Sequence, residues 1–336
     1  MHSPPPRERL ISILRGTIAP DRVFDDVDLS KLSRWKIGGR AAALVQPANA
    51  LEVSALFTVL RGLGCPWLVT GHMSNLLFDS AGFDGVLIQI GRPFSQVSIE
   101  GQTAWVGAGT WVPALARRLS HAGLTGLEHI VGIPGTVGGL VVMNGGSQRK
   151  GIGSHVEAVA YVDDEGERQL SGPECRFAYR ASALQEQGRV VVAARLNLEH
   201  GDRRTIHREM LNILRERRGK FPKKLPNCGS TFVSDPAMYS KIGPPGHAIE
   251  QAGLKGHIEG GAQISPAHAN FIVNLGSASS TDVLRLIHRA RTRVQERTGY
   301  WMDCEVRHVS RDGSVVPAHL AAEQYLSNKA RPRRAR

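Results

Sequence analysis

The chain has 336 residues, 41% of them hydrophobic and 21% charged, with a formal net charge of +12. This composition excludes a disordered chain, a collagen-like repeat and a disulfide-stapled mini-domain, and it allows two or three domains with full-sized cores. Lys329, Arg331, Arg333, Arg334 and Arg336 supply five of the positive charges with no acid among them, and removing those five leaves +7. No basic stripe interleaved with aromatics accompanies that tail. A nucleic-acid partner is therefore not expected, and a pocket for anionic small molecules fits the charge better. The four cysteines, Cys65, Cys175, Cys228 and Cys304, share no metal-finger spacing, so no metal site is expected and reduced thiols are the default. No apolar run approaches the roughly 20 residues needed to span a bilayer. The expectation is a cytoplasmic protein without membrane insertion, acting as a monomer.

The patterning alternates between helix and strand. Asn49 reads as the cap of a helix carrying Val53, Leu56, Phe57 and Leu60 on one face and ending near 62–64. Thr110 precedes a second, with Val112, Leu115, Ala116 and Leu119, stopped by Gly123. Ile206, Met210, Ile213 and Leu214 mark a third. Ser280 or Thr281 starts a fourth through Val283, Ile287, Ala290 and Val294, with Gly299 beyond its end. Strands are expected over 41–46, 67–70, 86–90, 104–106, 156–162, 190–198, 271–274 and 305–309. Mixed β-α-β units with a run of strands between about 85 and 200 indicate an α+β, or mixed α/β, fold. The stretch beyond Leu326 reads as disordered.

Four glycine-rich turns stand out: Trp35-Lys36-Ile37-Gly38-Gly39, Gly71-His72-Met73-Ser74-Asn75, Gly107-Ala108-Gly109, and Gly132-Ile133-Pro134-Gly135-Thr136-Val137-Gly138-Gly139. Glycine lets backbone N–H groups approach phosphate oxygens. None of these turns is a G-x-G-x-x-G opening a Rossmann helix, and no Walker pattern occurs. Together they suggest one large phosphorylated ligand lying across several loops. A second dense region runs from Lys220 to Asn274 and includes Cys228-Gly229-Ser230-Thr231-Phe232. A serine nucleophile at Ser230, or a Cys228 thiolate with His268, is weighed here below the simpler reading of a tight turn.

These motifs, with Ser74-Asn75-Leu76-Leu77, Gly126-Leu127-Glu128, Met143-Asn144, Tyr179-Arg180-x-Ser182, Glu250-Gln251-Ala252-Gly253-Leu254-Lys255-Gly256, His268-Ala269-Asn270-Phe271 and Glu305-Val306-Arg307, follow the order and spacing of a known family. From about 30 to 310 the chain resembles the UDP-N-acetylenolpyruvoylglucosamine reductases. The resemblance implies a vanillyl-alcohol-oxidase-type FAD-binding domain over 21–204, in two subdomains of about 21–90 and 91–204. A smaller C-terminal α/β substrate-binding domain would follow over 205–312, with an N-terminal extension over 1–20 and a basic tail over 313–336. It also implies non-covalent FAD, NADPH as hydride donor, and a UDP-sugar substrate whose enolpyruvyl group is reduced in peptidoglycan precursor synthesis. A reductase of another enol ether and a non-catalytic UDP-sugar-binding paralogue remain open alternatives.

Carried over residue by residue, the resemblance makes Ser230 the proton donor, Arg180 the partner of the enolate carboxylate, and Glu305 the acid that assists protonation. It places Gly38, Gly39, Gly71, Ser74, Asn75, Gly132, Ile133, Pro134, Gly135, Thr136, Gly138 and Arg217 at the cofactor. Tyr179, Lys220 and Asn227 fall to the substrate. The chain departs from the family pattern at Met73, where the turn ordinarily carries a second glycine, and over 233–236.

Overall fold

The computed structural model describes residues 5–330 apart from 187, 223 and 235, so the tail residues Arg331, Arg333, Arg334 and Arg336 lie outside the described residues. The chain divides into two compact units, each discontinuous in sequence. The first comprises Met1–Val27, Ala42–His72 and Gly85–Gly219, and the second Asp28–Ala41, Met73–Asp84 and Lys220–Arg336.

The first unit holds two principal sheets. One has the strand order Val23–Asp28, Arg40–Val45, Phe83–Gln89, Trp67–Thr70, its last pair parallel. The other is an antiparallel meander-like sheet in the order Gly166–Ser171, Val156–Asp163, Val190–Asn197, Thr103–Gly107, Val97–Glu100. Val156–Asp163 and Val190–Asn197 are almost wholly buried, which explains why their sequences read as continuous apolar runs instead of alternating ones. The helix Ala50–Gly62 starts where the cap residue predicts, because Asn49 Oδ1 accepts the Glu52 N–H at 3.0 Å. The helix Val112–Ala122 ends on Gly123 at φ +74°, a left-handed position that glycine takes without steric cost. Its cap is Trp111, one residue later than Thr110, and no side chain bonds the first turn.

The second unit is built around the helix Ser280–Thr298. Ser279 and Asp282 form a reciprocal capping box, and Gly299 closes the other end at φ +71°. Val283, Ile287, Ala290 and Val294 are fully buried along one face. Each large aliphatic side chain so buried contributes about 1.5–3 kcal/mol. Trp35 joins this core and donates its indole N–H to Ile272 O at 2.8 Å, while Asn274 Nδ2 donates to Trp35 O at 2.9 Å. Two small sheets flank the helix: Ile258–Glu259, Ala262–Ile264, Ile272–Asn274, and Val315–Pro317, Arg307–Val309, Leu76–Phe78.

Two expectations change here. The strand expected from residue 305 begins only at Arg307, because Glu305 and Val306 turn their backbone toward Thr231. The stretch from 313, expected as a tail, instead supplies strand Val315–Pro317 and helix Ala318–Ala330. Ala318, Ala321 and Ala322 are buried in the second unit's core, and such small side chains gave no apolar periodicity to read. Among the described residues no helix is long and apolar enough to cross a membrane, and no cluster of His, Cys, Asp or Glu could hold a metal ion.

Candidate functional site

In the first unit, three glycine turns converge through backbone contacts. Gly138 N–H donates to Ala108 O at 2.8 Å, Val137 N–H to Thr110 O at 2.9 Å, and Val112 N–H to Gly135 O at 3.1 Å. Gly71 packs so closely on the same loop that an added Cβ would stand 2.2 Å from Thr136 Oγ1. At Gly132 an added Cβ would stand 2.4 Å from Arg217 Nε, so the arginine side chain lies directly against the loop backbone. Burial pushes the Arg217 pKa below its ordinary value, although a guanidinium remains charged at physiological pH. Ile133 N–H closes a turn onto Ile130 O at 3.0 Å. Gly71, Gly132, Ile133, Pro134, Gly135, Thr136, Gly138 and Arg217 thus lie on one set of neighbouring loops and the side chain packed against them. Beside it lie two hydroxyls that motif reasoning missed. Thr70 Oγ1 and Thr110 Oγ1 are buried with no hydrogen-bond partner among the described residues. A lone threonine next to a glycine carries no spacing signal.

Tyr179 and Arg180 occupy the centre of a tight turn closed by Ala178 N–H to Ala181 O at 3.0 Å and the reverse bond at 3.1 Å. Arg180 has φ +55°, a conformation that costs a non-glycine residue free energy and that surrounding contacts must hold. Those contacts are present. Asn144 Nδ2 donates to Ala178 O at 2.8 Å, Ser182 Oγ to Val142 O at 2.7 Å, and Gln185 Nε2 to Arg180 O at 3.0 Å. The guanidinium stacks on Tyr179 at 5.1 Å and donates to Gly146 O at 3.3 Å.

In the second unit, the segment that follows Ser230 pairs through its backbone with the segment 303–305. Phe232 and Cys304 form an antiparallel bridge, Glu305 N–H donates to Thr231 O at 2.9 Å, and Val233 N–H to Asp303 O at 2.8 Å. Asn75 Nδ2 donates to Glu305 O at 3.0 Å, so Asn75 braces the glutamate's backbone. Asn270 acts as a substitute strand: its Oδ1 accepts Phe232 N–H at 2.9 Å and its Nδ2 donates to Phe232 O at 3.0 Å. Ser230 is half-buried, and its hydroxyl makes no hydrogen bond to another described residue. Asn227 is spent on its own loop, donating to Pro222 O and Leu225 O and accepting from Gly229 N–H. Lys220 is exposed at the end of helix Arg203–Lys220. Gly38 and Gly39 have a packing reason inside their unit, since added Cβ atoms would stand 2.8 Å from Leu29 Cβ and 2.6 Å from Ser80 O. Ser74 is half-buried in the same unit.

The thiolate reading of Cys228 does not survive. Burial raises its pKa to about 12, and its Sγ approaches the backbone carbonyls of Met73 and Leu76. His268 packs instead between Phe221 and Phe271.

Residues 221–309 match the family model of the UDP-N-acetylenolpyruvoylglucosamine reductase C-terminal domain, and residues 41–170 match that of an FAD binding domain. The UDP-N-acetylenolpyruvoylglucosamine reductase 1 of Corynebacterium glutamicum is 49% identical over 90% of this chain and 91% of its own. This chain belongs to the UDP-N-acetylenolpyruvoylglucosamine reductase family. The reductase of Heliobacterium modesticaldum is 41% identical over 86% of this chain and 91% of its own. Among solved structures, the reductase of Thermus caldophilus superposes with a TM-score of 0.73 at 34% identity, covering 85% of this chain and 98% of that one.

The first unit's loops fit FAD, which the matched domain binds. Backbone N–H groups beside side-chain-free positions suit a pyrophosphate, Arg217 adds a fixed positive charge, and the unsatisfied Thr70 and Thr110 hydroxyls offer polar partners for the cofactor.

Proposed function

We propose that this chain is the flavin-dependent, NADPH-consuming reductase that converts UDP-N-acetylglucosamine enolpyruvate to UDP-N-acetylmuramate for peptidoglycan synthesis. Identity of 49% over nine tenths of the chain to a curated member of the family carries this reading. The first unit holds FAD and the second, containing the family's C-terminal domain, serves the UDP-sugar. Gly71, the loop Gly132 to Gly138, Thr70, Thr110 and Arg217 hold the cofactor. FAD, when bound, supplies the hydride that it takes from NADPH and passes to the enolpyruvyl group.

The chain's own residues then have three tasks. Ser230 Oγ–H delivers a proton to the substrate's α-carbon. An alcohol is a weak acid, so Glu305 assists that transfer from the adjoining backbone position. The pairing of Glu305 N–H with Thr231 O, one residue from Ser230, supports the partnership. Arg180 meets the substrate carboxylate with a fixed charge and planar fork, and the stack on Tyr179 limits its rotamers. Lys220, a point charge, serves the UDP-sugar phosphates with Tyr179, and Asn227 shapes the loop before Ser230. The chain acts as a monomer in this reading, and all reactants are soluble phosphorylated metabolites, which supports a cytoplasmic place.

Purified protein should carry a flavin absorption band, bleach with NADPH, and recover the band on adding the enolpyruvyl sugar. Protein that takes up no FAD on reconstitution, or NADPH consumption that ignores the sugar, overturns the reading. A panel of other enol ethers separates it from a paralogue of altered specificity.

A further inference from the structure

The helix Ala318–Ala330 lies beyond the residues 221–309 matched by the family's C-terminal domain, yet its first turn is bonded to both neighbours of Glu305. Cys304 N–H donates to His319 Nδ1 at 3.0 Å, and Ala318 N–H donates to Val306 O at 2.9 Å. Glu305 itself donates its N–H to Thr231 O at 2.9 Å and accepts from Asn75 Nδ2 at 3.0 Å. With Val306 N–H to Thr231 O at 3.5 Å, five hydrogen bonds fix the backbone over 304–306, and the C-terminal helix takes part in two of them.

The histidine is itself held in place. His319 is 8% exposed, and its Nε2 stands 3.4 Å from Asp303 Oδ1. Because Nδ1 accepts the Cys304 N–H, the hydrogen-bond network assigns the neutral ring's proton to Nε2, on the Asp303 side. Arg291, from helix Ser280–Thr298, grips the same stretch. Its Nε donates to Met302 O at 2.6 Å, and its guanidinium pairs with Glu323 and stacks on Trp301 at 4.9 Å. Burial, aided by the nearby Arg291 charge, lowers the His319 pKa and keeps Nδ1 available as an acceptor.

We infer that His319 is a positioning residue for Glu305: through the Cys304 N–H it sets the backbone from which the Glu305 carboxylate reaches the reacting substrate. The inference rests on the reading of Glu305 as the group that assists protonation. A histidine that merely anchored the helix would affect flavin reduction and flavin reoxidation alike, or neither. A positioning histidine affects the second alone.

The experiment uses the full FAD-loaded chain and stopped-flow absorbance of the flavin band. In His319→Ala, reduction by NADPH should match the parent, while reoxidation by the enolpyruvyl sugar should slow about tenfold to hundredfold, the usual cost of a small misplacement. Asn carries a carbonyl oxygen near the Nδ1 position, so His319→Asn should return most of the lost rate. Amide hydrogen exchange over 301–306 should rise in His319→Ala and fall back in His319→Asn. If His319→Ala does not fold, His319→Gln replaces it, since its longer side chain misplaces the acceptor, and Asn should still outperform Gln. Reoxidation of His319→Ala at the parent rate, equal slowing of both half-reactions, or no rescue by Asn overturns the inference. Glu305→Gln separates the two failures. If it is slow while His319→Ala is not, only the inference falls; if it reoxidises at the parent rate, the reading of Glu305 falls and takes the inference with it.

Discussion

The two candidate regions reach a fixed loop by opposite means. Around Gly132 to Gly138 the loops are locked by glycines that let backbone meet backbone, and the side chains of Thr70, Thr110 and His129 nearby are buried without a hydrogen-bond partner among the described residues. Around Ser230 and Glu305 the backbone is stitched by side chains, with Asn75, Asn227, Asn270 and His319 each bonding main-chain groups. The first arrangement leaves buried side-chain polar groups unpaired among the described residues. The second spends its capacity internally and leaves the Ser230 hydroxyl without a hydrogen bond among the described residues. The region proposed to hold the cofactor and the region proposed to deliver the proton therefore carry different kinds of substitution sensitivity.

The largest expected effect separates chemistry from architecture. Ser230→Ala should leave FAD binding and NADPH reduction nearly unchanged while slowing flavin reoxidation by about 10²–10⁴-fold, the usual contribution of a general acid. Ser230→Cys should recover part of that rate because a thiol can still donate a proton. Reoxidation of Ser230→Ala at the parent rate would pass the acid's role to Glu305.

Asn270→Ala probes the stitched region. It strips the N–H and C=O of buried Phe232 of their partners, at about 1–3 kcal/mol for each group. The urea midpoint should fall sharply, and Asn270→Asp, which keeps the acceptor but loses the donor, should fall between the two. Equal midpoints for parent and Asn270→Ala would break the contrast between the regions.

His129 tests the glycine-locked region. Burial drives its pKa from the ordinary 6.5 to about 4, and neither ring nitrogen has a hydrogen-bond partner among the described residues. The unfolded chain takes up the proton first as pH falls, so this group leaves stability independent of pH above about 6.5 and lowers it progressively toward pH 4. His129→Phe should remove this acid sensitivity and raise stability at neutral pH by about 1 kcal/mol or more, the range for an unpaired polar group. Thermal melts at pH 5 and pH 8 check it; an unchanged difference between the two pH values contradicts it.

The smallest effect is expected at Met73, which takes φ +50° at a position where the family resemblance implies a glycine. Met73→Gly relieves about 1–2 kcal/mol of left-handed strain. It also removes a side chain that is 3% exposed, worth about 2–5 kcal/mol when packed in a core. Met73 belongs to neither apolar cluster, which puts its burial at the low end of that range. The net result should be a slight loss of stability, read as a shift of a few degrees at most in the melting midpoint. A clear gain would mean that strain dominates.

Much of this molecule was legible before folding. Periodicity and caps located the helices Ala50–Gly62, Val112–Ala122 and Ser280–Thr298 to within a residue or two, because caps and apolar stripes are local. The glycine turns suggested a phosphorylated ligand and the family's ordered motifs a flavin, and the same motifs are the ground on which Ser230, Arg180 and Glu305 are proposed. Short polar strands such as Gly166–Ser171 escaped, since an exposed edge needs no apolar pattern. So did the C-terminal helix, whose buried face is mostly alanine.

What the sequence determined by itself was the set of local conformations and the chemical character of the chain: which segments bury a face, which turns admit backbone N–H groups to a phosphate, and which family the ordered motifs resemble. Only the tertiary structure decided how those pieces are held. Glu305 owes its backbone geometry to Thr231, Asn75, Ala318 and His319, and Asn75 precedes it by 230 positions. Arg180 owes its left-handed turn to Asn144 and Ser182. Such contacts join residues far apart in the chain through single hydrogen bonds, and a single hydrogen bond leaves no period, spacing or composition in the sequence by which it could be read.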